Sequence, residues 1–517
     1  MSLHGRHLIA GIARADAAPT FHGIDATSQE RLEPGFSEAT SAEIDAAVTA
    51  AAEAFDAFRV TSGDLRARFL EAIATEIEQI GDTLIERAHR ESGLPLPRLT
   101  GERGRTCGQL RLFAAVAREG SWADARIDPA LPERKPLPRP DVRRILQPIG
   151  VVGVFGASNF PLAFSVAGGD TASALATGNC VVVKGHPAHP GTSELVAEAI
   201  TRATTAVGLP AGVFSLVHGR LPETSLALVR HPKLAAVGFT GSHSAGRALF
   251  DAANARPHPI PVFAEMSSLN PVVMLPRALA ERGAALAEGL KTSFTLGVGQ
   301  FCTKPGLVFG VASPQWEAFA SATATAAQAV PQGVMLHAGI SRAFQKSLDD
   351  LQNVEWLARG AASVARVTAA EFRRRPELAR EAFGPFTLLI TAVSDKELAD
   401  TLRDLDGQLT ASIHGTPDDL QSAAPLVALL ERIAGRVIIN GWPTGVEVSP
   451  AMHHGGPYPA SSDIRFTSVG TAALQRFVRP VCYQDFPPHL LPSSLRNDNP
   501  LGILRLIDGK PTRDPIQ

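Results

Sequence analysis

Cys302 stands in the stretch Gly299-Gln300-Phe301-Cys302-Thr303-Lys304-Pro305-Gly306, between a helical pattern at residues 279–296 and an apolar run at 307–311. A glycine-flanked loop lets the backbone approach a ligand and leaves a thiol less encased than a core position does. Cysteine attacks carbonyl carbon when a neighbour helps to generate thiolate and another group deals with the acyl intermediate. Free cysteines are also often just buried, so the loop alone leaves both readings open.

Four further clusters carry side chains suited to that chemistry. Asn159, in Gly156-Ala157-Ser158-Asn159-Phe160-Pro161, offers an amide for a developing oxyanion, or an ordinary Asx turn before proline. Lys184-Gly185-His186-Pro187-Ala188-His189 follows an apolar run where dinucleotide folds place an acidic residue on the adenine ribose. No carboxylate follows before Glu194, and Lys184, His186 and Arg220 suit an extra phosphate there, although a solvated loop reads the same. Phe239-Thr240-Gly241-Ser242-His243-Ser244-Ala245-Gly246 reads as strand, glycine turn and helix start, a place for pyrophosphate without being a G-x-G-x-x-G fingerprint. Glu265 closes the apolar run 260–264, where partial burial would raise its pKa toward that of a base near neutrality. A structural ion pair fits that position as well.

These clusters need elements to hold them. Runs at 149–155, 180–184, 213–217, 234–239 and 260–264 alternate with helical patterns near 164–176, 192–207, 223–229 and 244–254. That alternation predicts an α/β fold with a doubly wound parallel sheet and ligands at the strands' carboxyl ends. A second alternating region, from Asn270 to about Pro480, predicts a second α/β domain with strands at 270–275, 307–311, 386–390 and 436–440. We therefore expect a dinucleotide-binding domain over 1–127 and 148–265 and a catalytic domain over 266–480. An oligomerisation arm is expected from 128–147 and 481–517, its strands near 142–147 and 503–507 pairing with each other. Residues 1–38 read as polar and irregular, and Ser41 as the cap of the helix that follows. Cys107 falls inside a helical pattern and reads as a packing residue.

Composition excludes several classes. The 517 residues are 45% hydrophobic and 19% charged with a net charge of −2, which gives no reason to expect nucleic-acid or membrane-surface binding. The four cysteines lie far apart without zinc-like spacing, so no metal is expected and a reducing, cytoplasmic setting is.

Collinear from about residue 40 to 485, the chain resembles the NAD(P)-dependent aldehyde dehydrogenase superfamily. The resemblance rests on Asn159-Phe160-Pro161, Lys184, Phe239-Thr240-Gly241-Ser242, Glu265, Gly299-Gln300-Phe301-Cys302 and Glu381-Ala382-Phe383-Gly384-Pro385. It implies that Cys302 attacks the aldehyde, that the Asn159 amide and the Cys302 N–H hold the oxyanion, and that Glu265 activates the hydrolytic water. It also implies that Lys184 holds the adenine ribose and Glu381 the nicotinamide ribose, with Phe383 and Gly246 near the cofactor. Asn440-Gly441-Trp442-Pro443-Thr444-Gly445-Val446-Glu447-Val448 and His454-Gly455-Gly456-Pro457-Tyr458-Pro459 are similar to a narrower branch. That branch holds the 2-oxoglutarate semialdehyde dehydrogenases and NADP-linked long-chain aldehyde dehydrogenases.

The expected reaction is oxidation of an aldehyde, foremost 2-oxoglutarate semialdehyde, to its carboxylate. Alternatives are an aliphatic-aldehyde, a CoA-acylating or a non-catalytic member. The cofactor is NADP or NAD, with a lean to NADP, and the family implies a homodimer or homotetramer. Phe160, Phe301 and Arg465 are the expected substrate contacts, Arg465 as a carboxylate ligand or else as Asp463's ion-pair partner. Two departures stand out. Met266-Ser267-Ser268 follows Glu265 where the superfamily usually has glycines, and Pro187 and Pro222 replace polar residues expected near the ribose.

Overall fold

In the strands Val151–Phe155 and Cys180–Lys184 every residue is buried, so no polar/apolar alternation survives. That pattern belongs to a parallel strand covered on both faces. The computed structural model, which describes residues 3–16 and 19–516, places both strands at the centre of a seven-stranded sheet. Its order is Val262–Glu265, Leu234–Thr240, Val151–Phe155, Cys180–Lys184, Phe214–Val217, His7–Ile9 and Ile12–Arg14. The first five run parallel.

From Val151–Phe155 the chain winds outward one way through Cys180–Lys184 and Phe214–Val217. It then returns to the other side with Leu234–Thr240 and Val262–Glu265. The winding direction thus reverses beside Val151–Phe155, and a crevice opens beyond the carboxyl ends there. Residues 156–161 and 240–242 lie at that crevice.

A second seven-stranded sheet has the order Glu355–Ala358, Ser363–Thr368, Phe386–Ala392, Leu307–Val311, Val272–Met274, Gln408–His414 and Ala434–Ile439. All its pairings are parallel except that of Glu355–Ala358 with Ser363–Thr368. Cys302 precedes the strand Leu307–Val311, whereas Glu265 ends the strand Val262–Glu265. Cys302 and Glu265 therefore lie where the carboxyl end of one sheet meets the amino end of the other.

Three sequence expectations need correction. Residues before 38 are not irregular: His7–Ile9 and Ile12–Arg14 extend the first sheet, and Thr20–Ile24 pairs with Arg31–Ser37. The helix Ser41–Arg59 is capped by Thr40, which forms a reciprocal capping box with Glu43; Ser41 is its first helical residue. The strands expected to pair near 142–147 and 503–507 share a sheet but do not touch. Its order is Val478–Gln484, Val142–Pro148, Arg126–Asp128, Arg505–Ile507 and Lys510–Thr512. Arg126–Asp128 separates the two, and Val478–Gln484 forms an edge, so this sheet draws on residues outside 128–147 and 481–517.

Cys107 and Cys180 are fully buried, with Cys107 donating its S–H to the Ala74 carbonyl. All four cysteines are free. Among the described residues no helix is long and apolar enough to cross a membrane.

Candidate active site

The loop that carries Cys302 is fixed by its backbone. Gly297, Val298 and Gly299 all have positive φ, and a Cβ at Gly299 would come within 2.3 Å of the Gly384 backbone. Glycine at 299 thus lets the Cys302 loop and the Glu381–Gly384 turn close on each other. On the opposite side Asn270, itself at φ 49°, is fully buried and donates its amide to the carbonyls of Cys302 (2.8 Å) and Lys304 (2.9 Å). Its oxygen accepts from Ser268 and Thr410, each at 2.9 Å.

Cys302, Glu265 and Asn159 line one cavity of about 450 Å³, together with Phe239, Gly241 and Glu381. Thr240, Ser242, Phe383, Phe160 and His186 also face it. One amide N–H of Asn159 is given to the Gln300 carbonyl at 3.0 Å, which leaves its second for a ligand.

Sequence reasoning missed the residue that joins the two reactive groups. Nε2 of His454 lies 2.8 Å from Oε1 of Glu265 and 3.5 Å from Sγ of Cys302. Ser468 Oγ donates to the second Glu265 oxygen. Both come from the loop 454–468, which is laced to the Glu265 strand. Ala264 N donates to Ser462 Oγ (2.8 Å), Met266 N to the Ala460 carbonyl (2.8 Å) and Ser462 N to the Ala264 carbonyl (2.9 Å). The only hint in the sequence was the run of residues 454–459, whose spacing from Cys302 carries no local signal. The ligand-type atoms of Cys302, Glu265 and His454 all lie within 4.8 Å of one another.

The electrostatics follow from that trio. Burial first, and the Glu265 carboxylate second, push the Cys302 thiol well above its ordinary range. Burial would also push the Glu265 carboxyl up, but His454, Ser468 and Cys302 together hold it below its usual value. Glu265 therefore stays ionised, the opposite of the raised pKa expected from strand-end burial. An ionised carboxylate only accepts, so the proton between it and His454 sits on Nε2.

The aldehyde dehydrogenase family model matches residues 15–342. The chain is 52% identical to alpha-ketoglutaric semialdehyde dehydrogenase 2 of Azospirillum brasilense, over 99% of this chain and 100% of the relative. It is 48% identical to alpha-ketoglutaric semialdehyde dehydrogenase of Acinetobacter baylyi, over 99% of both. The fold matches that of a mutant of aldehyde dehydrogenase C from Pseudomonas syringae, complexed with NAD+ and octanal. The TM-score is 0.79 at 21% identity, covering 94% of this chain and 98% of that one. The chain belongs to the aldehyde dehydrogenase family. Aldehyde dehydrogenases oxidise small aldehydes with NAD(P), so the remaining residues can be tested against that cofactor.

The helix His243–Asn254 opens at the crevice with Ser242 as its cap. Two glycines there are cradle positions, because a Cβ at Gly241 would meet the Phe239 ring at 2.6 Å and one at Gly246 the Met266 sulfur at 2.8 Å. The departure at 266–268 is thereby explained in part. Met266 is buried against Gly246 and lines the same cavity, and Ser267 Oγ accepts from the His243 N–H at 3.3 Å. Burial raises the Glu381 carboxyl to about 7, opposed by Lys304 and Ser267. The buried Lys304 donates to the carbonyls of Ala382 (3.0 Å) and Phe386 (2.9 Å), holding the Glu381 turn from beneath. These residues fit a dinucleotide.

At the ribose corner the histidines are not cations. Burial pushes His186 well below its ordinary value and lowers His189, whose Nε2 lies 2.9 Å from the Ala157 carbonyl. Burial also draws Lys184 down to about 8. A carboxylate does approach this corner, from a segment in which the sequence showed no chemistry. Glu38 accepts from the N–H groups of Arg220 (2.8 Å) and Leu221 (3.1 Å) and from Thr224 Oγ1 (2.6 Å). The Arg220 side chain faces a second cavity, of about 820 Å³, shared with His186, Arg31 and Arg342.

Phe160 and Phe301 are both buried, with ring centroids 5.3 Å apart. Arg465 does not join them. Its side chain is 74% exposed and is paired with Asp463, Nε to Oδ1 at 2.9 Å.

Proposed function

We propose that this aldehyde dehydrogenase oxidises 2-oxoglutarate semialdehyde to 2-oxoglutarate, through a thioester on Cys302 that water hydrolyses. The observation that carries the chemistry is the contact of the buried His454 imidazole with both the Cys302 thiol and the Glu265 carboxylate, which line one cavity. The substrate reading is supported by the two full-length relatives of that printed activity.

Glu265, ionised within reach of a thiol whose own pKa is high, accepts the Cys302 proton as the sulfur bonds to the aldehyde carbon. His454 keeps its Nε2 proton on the carboxylate side and faces the sulfur, steadying negative charge on either group. The carbonyl oxygen becomes an oxyanion, for which the free N–H of Asn159 and the Cys302 backbone N–H are the donors. Bound NAD(P) supplies the hydride acceptor. Lys184, Phe239, Thr240, Gly241, Ser242, Gly246, Glu381 and Phe383 would hold the cofactor. Glu265 releases that first proton to solvent, then takes one from the water that attacks the thioester, and Cys302 leaves as thiolate, which that second proton returns to the thiol.

NADP should serve at least as well as NAD. In support, the Glu38 carboxylate is saturated by its own donors, while Arg31, Arg220 and Arg342 surround the second cavity. We assign the five-stranded sheet to association as a homodimer or homotetramer, since Val478–Gln484 is an edge and Phe486 and Leu490 beyond it are exposed. Four free cysteines fit a cytoplasmic enzyme.

A spectrophotometric assay of the purified enzyme tests this reading. 2-Oxoglutarate semialdehyde should give NAD(P)H without CoA and with a higher kcat/KM than aliphatic aldehydes. Product only with CoA, or a preference for long aliphatic aldehydes, would overturn it.

A further inference from the structure

The helix Leu96–Glu119 carries two arginines against the Asn159–Phe164 segment. Arg98 has a close counter-charge. Its Nη1 lies 3.1 Å from Glu102, its Nη2 donates to the Asn159 carbonyl at 3.1 Å, and its guanidinium covers the Phe160 and Phe301 rings at 4.8 and 5.3 Å. Glu102 spends its other oxygen on the N–H groups of Leu162 (2.9 Å) and Ala163 (3.0 Å).

Arg105, about two turns further along, is held but not paired. Its guanidinium sits 5.6 Å from the Phe160 ring and 5.4 Å from the Phe164 ring, and its Nε and Nη2 are buried with no acceptor. Buried polar groups are nearly always satisfied. Nitrogens that the protein leaves unpaired are open to water or to a ligand.

Its neighbours say what that ligand is. Phe160 and Phe164 line the cavity that holds Cys302, and Phe160 packs on Phe301, the residue before the nucleophile. Burial lowers the Arg105 pKa, opposed first by Glu102 and then by Cys302, Glu265 and the exposed Glu447, so the guanidinium lies within electrostatic reach of the Cys302 cavity. A cation with two unpaired nitrogens, walled by aromatic rings beside an aldehyde site, is matched to a carboxylate at the far end of the aldehyde chain.

We propose that Arg105 binds the remote carboxylate of the substrate, and so selects oxo-acid semialdehydes over plain aldehydes. The proposal rests on the semialdehyde reading above. It takes the place first given to Arg465, which lies on the surface with Asp463.

The test compares wild type, Arg105→Met and Arg105→Lys on 2-oxoglutarate semialdehyde and on pentanal, with NADP saturating. Calorimetric binding of 2-oxoglutarate and melting temperature are measured alongside. Arg105→Met should raise KM for the semialdehyde and Kd for 2-oxoglutarate by roughly ten- to a hundredfold, the worth of one charge-assisted hydrogen bond. Its kcat/KM for pentanal should stay within about twofold of wild type, and Arg105→Lys should fall between, because it keeps charge without the planar fork. Equal losses on both aldehydes would show a structural role and overturn the proposal, as would an unchanged KM for the semialdehyde. A wild type that does not prefer the semialdehyde to pentanal would instead remove the semialdehyde reading, and Arg105's role with it.

Discussion

His454 Nε2 stands 2.8 Å from Glu265 Oε1, although 189 residues separate them in the chain. The contact explains how a carboxylate with 4% of its surface exposed remains ionised. It also means that the Glu265 carboxylate is tuned by a loop from the far end of the chain and not by its own strand.

In the proposed mechanism Cys302 carries the acyl group and Glu265 moves protons, with the hydrolytic water depending on it most. Cys302→Ala should abolish NAD(P)H formation. Glu265→Gln should retain a stoichiometric burst, while steady turnover falls by roughly two to four orders of magnitude, the usual contribution of a general base. Stopped-flow absorbance at 340 nm separates the two, and steady turnover near wild type in Glu265→Gln would remove the carboxylate from the mechanism.

Alkylation of Cys302 by iodoacetamide, without cofactor, should rise with pH beyond the range of an ordinary thiol. Burial and the Glu265 charge both oppose thiolate there. Removing that charge in Glu265→Gln should shift the alkylation profile toward lower pH. A profile that moves the other way would mean that Glu265 is not charged beside the thiol.

His454→Phe removes the donor that keeps Glu265 ionised. Only Ser468 and Cys302 then oppose burial, so the carboxyl pKa rises, and the acid limb of the kcat profile should move to higher pH. Turnover at neutral pH should fall by roughly ten- to a hundredfold, on the scale of one charge-assisted hydrogen bond. The stability linkage has the same origin. With its folded-state pKa depressed, Glu265 stabilises the wild type above its unfolded pKa, and that contribution is lost as pH falls through the folded value. An unmoved acid limb in His454→Phe would count against the link.

Asn270→Ala should cost stability as well as rate. The substitution leaves the carbonyls of Cys302 and Lys304 and the hydroxyls of Ser268 and Thr410 without their common partner. A loss of about 1–3 kcal/mol per buried group left unpaired is the general scale. Thermal melting together with burst rate checks it, and an unchanged melting temperature would show that Asn270 does not clamp the loop.

Arg220→Ala should raise KM for NADP and leave that for NAD nearly unchanged. The Arg220 backbone N–H is already committed to Glu38, so the side chain alone is lost. Equal effects on both cofactors would place the 2′-phosphate elsewhere.

Much of this was legible before the fold. The glycine-flanked loop at 302, the strand end at 265 and the Phe239–Ser242 turn carry local signals, because turn chemistry and strand periodicity are local. The His454 contact is not local; it depends on the loop 454–468 returning to the Glu265 strand across 189 residues. Gln408–His414, buried throughout, went unread as a strand although it sits inside the second sheet. Glu38 and Arg105 were hidden for a different reason. Each lies in a segment whose own pattern is ordinary, and each matters through what packs on it. Arg465 shows the reverse case, since of its two sequence readings the ion pair with Asp463, two residues away, is the one formed.

The lacing of 460–462 onto 264–266 bears on inheritance. The Glu265 strand belongs to one sheet, while the loop that tunes its carboxylate is encoded almost two hundred codons later, after the whole of the other. A recombination crossover between them that joined halves from two divergent relatives would keep nucleophile and base and still mismatch their partners. Chimeras of this family should therefore tolerate exchange of 1–266 together with 454–517 better than exchange of either alone. Residues so far apart in the gene are expected to change as one unit.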